Sequence, residues 1–322
     1  MENRKFAVDE RPYCVWDRDL SAKNMSLINM IDSGYFRYLA LVHGRALQRV
    51  RQRQRAALSL RIAYAHALET FFAVLFAAVQ APDCVIGWLL KYEVRDLRSL
   101  IEKVRSRKPI LSKIQFDSPT WESLSATLLA YISLQDKDKE TRVKREFSVL
   151  WSRFANDLLD EGASQEYNSV KHGLRAKAGG FTWAIGRESE PGVRPPPEGM
   201  VSLGGSEFGA SFYAPEGLPG GQMNFSLREY SLNWRPEKFH IGLQLIAYSL
   251  ENVLGFLKIQ NGAERKSLKF VWPKDEKDEA MFDEPWKLVS GGITNFSQSS
   301  IILDEDFRAF SKSEILDIYN GQ

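Results

Sequence analysis

LSLRIAYAHALETFFAVLFAAVQ, residues 58–80, is the most apolar long segment of the chain, and it contains neither glycine nor proline. Alanine and leucine, which dominate it, are strong helix formers. The apolar residues fall nearly all round a helix rather than on one stripe, which is typical of a helix enclosed by other elements. We therefore expect residues 58–80 to form a buried helix of a mainly helical protein.

The apolar character continues past this helix, since residues 71–90 read FFAVLFAAVQAPDCVIGWLL and are long enough to span a bilayer. Pro82-Asp83 interrupts the run and is typical of a turn between two helices. A buried helical hairpin explains the pattern at a lower energetic cost than polar residues inside a membrane. The first ten residues lack the apolar core of a signal peptide, and Cys14 and Cys84 are far apart. We expect a soluble cytoplasmic protein without a membrane segment.

Helical periodicity extends from about Leu20 to Gly179. A long helix is expected from near Ser21 to Arg55, and Ser33-Gly34 is the place where it could break. The other expected helices cover 93–106, a segment opened by Ser118-Pro119, a segment that follows the charged run 136–145 and stops at Gly162, a segment beginning at Ser164, a long segment opened by Pro236, and 304–319.

The composition changes after Gly179-Gly180, where proline and glycine become frequent. Strand-like pieces occur at 181–185, 208–213, 223–234 and 268–272, and the last precedes a mixed-charge linker, 274–284. The expected fold class is mainly α: a helical bundle with a small β-rich insertion and a C-terminal α/β extension. The expected divisions are 1–57, an N-terminal long basic helix region; 58–180, the helical bundle core; 181–235, the β-rich insertion; and 236–322, the C-terminal helix and extension packing on the core.

The net charge of +2 conceals an asymmetry, because residues 1–180 carry +8 and the remaining residues carry −6. The two parts could attract each other, or the basic part could bind an anionic partner. The chain lacks a GxxxxGK[ST] loop, a GxGxxG between a strand and a helix, and the GxSxG, HExxH and CxxC motifs. With four histidines in total, neither a metal centre nor a cofactor is expected.

The segment Tyr167-Asn168-Ser169-Val170-Lys171-His172-Gly173-Leu174-Arg175 carries the main functional signal. On a helix, Asn168, Lys171, His172 and Arg175 fall at i, i+3, i+4 and i+7, which is one continuous face. An imidazole beside cationic donors meets the needs of metal-free RNA cleavage, since it can transfer protons while the cations stabilise phosphate charge. The alternative is a solvated basic helix end, where cations interact favourably with the helix dipole.

An all-helical array whose last core helix carries Tyr167-Asn168-Ser169-Val170-Lys171-His172 resembles the HEPN superfamily. That family has an Arg-polar-xxx-His motif, which His172 and Asn168 match, whereas Tyr167 stands where the arginine belongs. Either the site is degenerate, or Lys171 or Arg175 supplies the missing charge. The resemblance covers at most residues 58–179. It implies a four- or five-helix bundle that dimerises with both motifs facing one cleft, and a toxin, a defence ribonuclease or an inactive binding module.

Polar residues inside the apolar helix are a second signal. His66 and Glu69 are three residues apart and can share a face, and Arg61 lies on a neighbouring stripe. Buried charged groups are costly unless paired, so polar partners from another helix are expected. A link from Glu69 to Lys171 or His172 would tune the histidine and would add Glu69 and His66 to the catalytic residues. The alternative is an internal network that sets the register of the helices.

A run of arginines is the third signal. Arg45, Arg49 and Arg53 form one helical stripe that offers contacts to nucleic-acid phosphates. The alternative is a solvated face that pairs with the acidic C-terminal part. We expect a HEPN-like protein that acts as a metal-independent endoribonuclease of a bacterial toxin or antiviral defence type, with RNA as a partner. The alternative is a non-catalytic homodimeric assembly module that docks a protein partner through residues 181–235.

Overall fold

The computed structural model describes residues 4–8, 11–15, 19–114, 116, 118–217, 225–288, 295–301 and 310–321. The chain divides into two compact units, the first comprising Met1–Ser164 and Arg235–Gly291, and the second Gln165–Trp234 and Gly292–Gln322. Helix Glu161–Lys171 begins in the first unit and ends in the second. The four divisions expected from the sequence, with boundaries after residues 57, 180 and 235, stay predictions.

Helices dominate the described residues, which confirms a mainly α protein. In chain order they are α1 (Ser21–Met30), α2 (Gly34–Leu47), α3 (Arg53–Gln80), α4 (Val85–Leu89), α5 (Val94–Arg105), α6 (Trp121–Leu128), α7 (Lys137–Leu159), α8 (Glu161–Lys171), α9 (Pro236–Gln260), α10 (Glu276–Lys287) and α11 (Lys312–Asn320). The strands are β1 (Arg4–Val8), β2 (Arg11–Val15), β3 (Ala176–Ala178), β4 (Thr182–Gly186), β5 (Met200–Gly205), β6 (Gly209–Gly217), β7 (Phe225–Asn233) and β8 (Asn295–Ile301). Short 3-10 turns lie at Pro197–Gly199 and Arg265–Ser267.

The core of the first unit is built on α3, which packs along α9, while α2 packs against both. Phe71 of α3 contacts Trp151 and Phe154 of α7, with ring centroids 5.7 and 6.0 Å apart, and all three side chains are fully buried. Burying a large apolar side chain contributes roughly 1.5–3 kcal/mol to stability. The Trp151 indole N–H donates to the Ser249 hydroxyl of α9 (3.1 Å), so its polar atom is satisfied inside the core.

The turn that follows α3 is held by two buried asparagines. Asn24 of α1 donates to the carbonyl of Asp83 (2.8 Å), and Asn261 donates to the carbonyl of Pro82 (2.9 Å). The two asparagine side chains are also bonded to each other at 2.8 Å. The turn expected at Pro82-Asp83, between α3 and the short α4, is therefore confirmed.

Within the second unit, four antiparallel strands are ordered β3-β6-β7-β8, and β4 pairs with β5 as a separate two-stranded ribbon. Phe212 of β6 stacks on Tyr230 of β7, its register partner, with ring centroids 5.3 Å apart. The Asn233 amide bonds both the N–H and the C=O of Phe181, each at 2.9 Å. The strands expected at 181–185, 208–213 and 223–234 correspond to β4, β6 and β7.

The long helix expected from Ser21 to Arg55 is divided. The break near Ser33-Gly34 is confirmed, but a second interruption follows Leu47, and α3 begins at Arg53 rather than at Leu58. The turn between α2 and α3 lets the two helices pack against each other, and this packing buries Phe36 and Ala40 of α2.

Side-chain caps move two other helix starts. α6 begins after Thr120 rather than at Ser118-Pro119, because the Thr120 hydroxyl accepts a hydrogen bond from the Ser123 N–H (3.1 Å). Gly162 does not stop α7. It lies inside α8, which begins before it because the Asp160 carboxylate accepts an N–H bond from the first turn (2.7 Å).

The segment after α9 differs from its expectation. Residues 268–272 form no strand, because the Asn252 side chain bonds both the N–H and the C=O of Val271 (2.7 Å each) in place of a neighbouring strand. The expected linker 274–284 is largely helical as part of α10, which the Asp275 carboxylate caps through the Asp278 N–H (2.9 Å). The hairpin β1–β2 was not expected. The last helix begins at Lys312, and its expected start, Asp304, lies outside the described residues.

Among the described residues, α3 is the one helix long and apolar enough to cross a membrane by length and composition. Of its most apolar window, 67% is buried inside the fold. Burial of that extent is what a helix enclosed by other helices shows.

Candidate functional site

The helix that carries the predicted motif, α8, has two distinct sides. Glu166, Ser169 and Val170 are buried, and the Glu166 carboxylate accepts a hydrogen bond from the indole N–H of Trp234 (2.8 Å). Asn168 and Lys171 are exposed on the other side. The Trp234 bond and the buried residues therefore fix which polar side chains α8 presents to solvent.

The end of α8 places His172 at the point where the chain leaves the helix. The His172 N–H still donates to the Asn168 carbonyl (3.0 Å), while Gly173 and Leu174 have positive φ values of 121° and 53°. Left-handed backbone is uncommon for residues other than glycine, so Leu174 marks a constrained turn. This turn leads directly into β3.

The prediction of one continuous helical face is therefore wrong for Arg175, which lies beyond the end of the helix. The Arg175 N–H donates to the Ser169 carbonyl (2.8 Å), which keeps its backbone beside the last turn of α8. Asn168, Lys171, His172 and Arg175 are all exposed. The structure thus brings the four predicted residues to one end of α8, three from the helix and its cap and one from the following turn.

The side chains at this end differ in their contacts. The Lys171 ammonium lies 5.5 Å from the centroid of the Tyr167 ring, in a cation–π contact. His172 has no side-chain hydrogen bond or ion pair within the described part of the chain. An exposed imidazole can exchange protons with a bound ligand, since histidine is the side chain that changes charge near neutral pH. The position of the family's arginine is occupied by Tyr167, a half-buried aromatic ring.

His66 and Glu69 lie in the first unit, on α3. The His66 ring is exposed and makes an edge contact with Phe36 of α2, with centroids 5.7 Å apart, and Glu69 is half-buried. Because His172 belongs to the second unit, the predicted link from Glu69 to Lys171 or His172 stays a prediction.

The predicted arginine stripe spans two helices. Arg45 lies in the last turn of α2, Arg49 in the connecting turn and Arg53 at the start of α3. The Arg53 N–H donates to the Arg49 carbonyl (3.0 Å), so the connection keeps a helical turn. Arg45 and Arg49 are exposed and Arg53 is half-buried.

Residues 33–68 contain seven arginines and no aspartate, glutamate or lysine. An exposed surface formed by this segment has no carboxylates of its own to neutralise it. Two exposed tyrosines lie on α2 before Arg45 and Arg49, Tyr35 at 46% and Tyr38 at 60% exposure. They were not among the predicted site residues, although two aromatic residues at a spacing of three, followed by arginines, were a usable signal.

Apolar side chains on the β4–β5 ribbon were also missed. Ile185 and Val201 are register partners and are 61% and 65% exposed. Trp183 and Leu203, each two residues away on its own strand, are exposed as well. Alternating apolar residues at 183, 185, 201 and 203 were the available signal.

A cavity of about 520 Å³ lies between α5, α6 and α7 in the first unit. Its lining includes Arg105, Arg107, Arg153, Thr120 and Trp121. None of the predicted site residues lines this cavity. Within the described residues, no three His, Cys, Asp or Glu side chains are grouped so as to hold a metal ion.

No protein-family model matches this chain, and neither the curated proteins nor the solved structures compared with it contain a match. The resemblance to the HEPN superfamily therefore rests on the residues of the chain itself.

Proposed function

We propose that this chain is a HEPN-like, metal-independent endoribonuclease of a toxin or antiviral defence type, with its reaction centre at the end of α8. The observation that carries the proposal is the exposure of Asn168 and Lys171 on α8, on the side away from the buried Glu166, and of His172 directly after the helix. A hydrogen-bonding amide, an ammonium and an imidazole are thereby accessible to one ligand. These are the groups needed to bind a phosphodiester and move protons on it.

In the proposed reaction, the 2′-oxygen of RNA attacks the adjacent phosphorus and the bond from phosphorus to the 5′-oxygen breaks. The products are a 2′,3′-cyclic phosphate and a 5′-hydroxyl end. A base accepts the proton of the 2′-hydroxyl, and an acid gives a proton to the leaving 5′-oxygen. His172 performs one of these transfers, and the His172 of a second copy performs the other in a homodimer.

The remaining residues have separate roles in this scheme. Asn168 orients the phosphate or the imidazole, while Lys171 and Arg175 stabilise the charge that develops on the phosphorane oxygens. Arg45, Arg49 and Arg53 bind the RNA backbone elsewhere on the chain. His66 and Glu69 are not required by the reaction as written, so their catalytic role is a separate prediction. The protein acts in the cytoplasm, where its RNA substrates are found.

The test is cleavage of a mixed-sequence RNA in excess chelator by wild type and by His172→Ala. We expect the wild type to leave cyclic phosphate ends and the variant to lose this activity by about a hundredfold or more, because general acid–base catalysis contributes factors of that size. Lys177→Ala is the matched control, since Lys177 is an exposed cation of β3 close to the site in sequence. It should cleave at the wild-type rate.

Two results would contradict the proposal. One is cleavage by His172→Ala at the wild-type rate, and the other is cleavage that chelator abolishes. Circular dichroism spectra of the wild type and both variants must coincide for the comparison to count. Because His172 is exposed, its replacement should leave the fold unchanged.

A second candidate function is a non-catalytic homodimeric assembly module, and one observation favours it. Ile185 and Val201 form an exposed apolar pair on the β4–β5 ribbon, a surface that a second copy of the chain can cover. Tyr167 in the arginine position is consistent with a degenerate reaction centre. If this reading holds, Ile185→Glu converts a dimer into a monomer in light-scattering measurements, and the wild type leaves RNA intact.

A further inference from the structure

The exposed face of α2 combines aromatic and cationic side chains on one stripe. At helical spacing, Tyr35, Tyr38, Val42 and Arg45 follow one another along this face, and Arg49 lies four residues further on in the turn that follows α2; we call these five residues the α2 ridge. Tyr38 is 60% exposed, more than any other tyrosine of α2. Its helical part spans about 15 Å from Tyr35 to Arg45, given the rise per residue of a helix.

Other residues of α2 contact α3 and α9, and the ridge residues stay exposed. Arg37 pairs with Glu251 of α9 (3.5 Å) and lies 5.9 Å from the ring of Tyr248. Phe36 and Ala40 are buried. The exposed Arg37 is thus paired with a carboxylate of α9, whereas no ion pair of Arg45 or Arg49 is found among the described residues.

The charge distribution selects among the ligands that fit such a surface. A second copy that placed its own arginine segment against this one would bring like charges to short range, where they repel each other. A polyanion is attracted instead, and its bound counterions are released on contact. Neither a protein partner with an apolar face nor a small anion would use both the tyrosine rings and the spaced arginines.

Tyrosine rings distinguish single strands from duplexes. The bases of a single strand can leave their stack and lie on an aromatic ring, at about 1–3 kcal/mol per base. The bases of a duplex are enclosed, so a duplex can contact the arginines through its phosphates but cannot use the rings. The order of the ridge, rings first and arginines next, suits a strand whose bases stack at one end and whose phosphates are held at the other.

We infer that the α2 ridge binds single-stranded RNA in preference to duplex RNA, by stacking bases on Tyr35 and Tyr38 and pairing phosphates with Arg45 and Arg49. This inference rests on the proposed function in taking RNA as the ligand. It adds a substrate class and a binding surface, which belongs to the first unit, whereas the proposed reaction centre belongs to the second.

The experiment measures binding by fluorescence anisotropy in His172→Ala, which keeps the RNA intact. The probes are an unstructured labelled RNA of about 12 nucleotides, within the range of single-strand site sizes, and a duplex of the same length. We expect Tyr38→Ser to weaken single-strand binding about tenfold, the value of one stacked base, and to leave duplex binding unchanged. Replacing both Arg45 and Arg49 by Gln should weaken the binding of both probes. For the single strand, it should reduce the magnitude of the slope of log K against log salt concentration by about 1.4.

Tyr213→Ser serves as the matched control, since Tyr213 is 57% exposed but lies on β6, outside the ridge. It should bind both probes as the parent does. Tyr38→Trp provides a second variant with a larger ring, and it should strengthen single-strand binding.

Several outcomes would overturn the inference: equal weakening of both probes by Tyr38→Ser, no effect of Tyr38→Ser on either, or no binding of either probe by the parent. So would dissociation of a dimer by Tyr38→Ser, because a second copy would then be the occupant of the ridge. Failure of the proposed function is distinguishable, since a wild type that binds single strands through the ridge without cleaving them contradicts the reaction alone. RNA cleavage at the wild-type rate by all ridge variants would contradict RNA binding by the α2 ridge and would leave the proposed reaction standing.

Discussion

The Tyr64 hydroxyl donates a hydrogen bond to the Asp157 carboxylate at 2.6 Å, and this bond joins α3 to α7 inside the first unit. The same carboxylate accepts a bond from the Lys238 ammonium of α9 (2.9 Å). Three helices that are distant in sequence therefore meet at one polar cluster at the edge of an aromatic core. Such a cluster fixes the register of the helices, because leaving any member without its partner costs about 1–3 kcal/mol.

Tyr64→Phe should destabilise the protein by about 2 kcal/mol, because it removes a hydrogen bond to a charged acceptor from a fully buried ring. Burial, and next the Asp157 charge, raise the pKa of Tyr64 well above its ordinary value of 10.0. The contribution of the neutral hydroxyl is thus complete below about pH 10 and is lost only as the pH rises above that value. Urea unfolding at neutral pH measures the difference, and Tyr213→Phe, at an exposed ring, should unfold like the wild type.

Gly242→Ala should destabilise the protein by about 1–3 kcal/mol, the usual range for an overpacked core. A Cβ at residue 242 would lie 2.5 Å from Cε2 of Tyr64, closer than two carbons can approach. Because the ring is held by the Asp157 bond, it cannot move aside freely. Thermal unfolding checks the prediction, with Gly199→Ala as the control, where the nearest atoms are 3.8 Å away. Equal melting temperatures for the two variants would contradict the close packing of α3 against α9.

Glu140→Gln should remove part of the acid sensitivity of the protein. Hydrogen bonds from Lys144 (2.8 Å), Lys137 (2.9 Å) and the Leu134 N–H lower the pKa of Glu140 from 4.5 to about 2. A lowered pKa means that the carboxylate stabilises the fold above about pH 4.5 and that this contribution is lost as the pH falls towards 2. The free energy of unfolding of the wild type should exceed that of the variant at neutral pH. Plotted against pH, the two free energies should converge below pH 4.5. Convergence at neutral pH instead would refute the prediction.

Glu146→Gln should stabilise the protein at neutral pH. Burial, and next the charge of Glu279 on α10, raise the pKa of Glu146 above 4.5. One of its carboxylate oxygens has no hydrogen bond within the described residues. The ionised form therefore opposes folding, so the wild type loses stability as the pH rises from 4.5, and the variant does not. The gain should be less than about 1 kcal/mol, since the group is partly hydrated, and it should vanish at low pH. Glu122→Gln, at an exposed position, should give no gain at any pH.

Tyr167→Arg tests the departure from the family motif. The change places a guanidinium at the position where the motif has one and should raise RNA cleavage about tenfold, since added charge stabilises a phosphorane. Tyr167→Phe is the control, because it keeps the ring under the Lys171 ammonium and adds no charge. A fall in cleavage with Tyr167→Arg and normal folding would mean that the Lys171–Tyr167 contact itself positions the lysine.

Local signals account for the elements that were predicted correctly. The buried helix over 58–80 follows from helix formers and apolar residues on all sides. Pro236 opens α9 because the N–H that proline lacks would have no helical partner in the first turn. The strands β4, β6 and β7 follow from the change in composition after Gly180. Each of these depends on interactions between residues close in sequence, so the sequence contains the information directly.

Part of the candidate site was also predictable from the sequence. Asn168 and Lys171 were expected to share a helix face because helical spacing relates residues three apart, and both are exposed on α8. The position of Arg175 was not predictable in the same way. The helix ends at Lys171, and the positive φ values of Gly173 and Leu174 turn the chain into β3, whose partner β6 lies more than thirty residues further on.

Packing over long sequence separations decided the remainder. Asn252 bonds to Val271 and prevents a strand there, and Asp157 bonds to Tyr64 and to Lys238 across separations of 93 and 81 residues. No spacing rule links such residues, because their contact depends on how α3, α7 and α9 are arranged. Residues close in sequence thus determine the helices and their caps in this chain. The polar cluster at Tyr64 and the exposure of only one face of α2 arise when distant segments pack together and exclude water from one another.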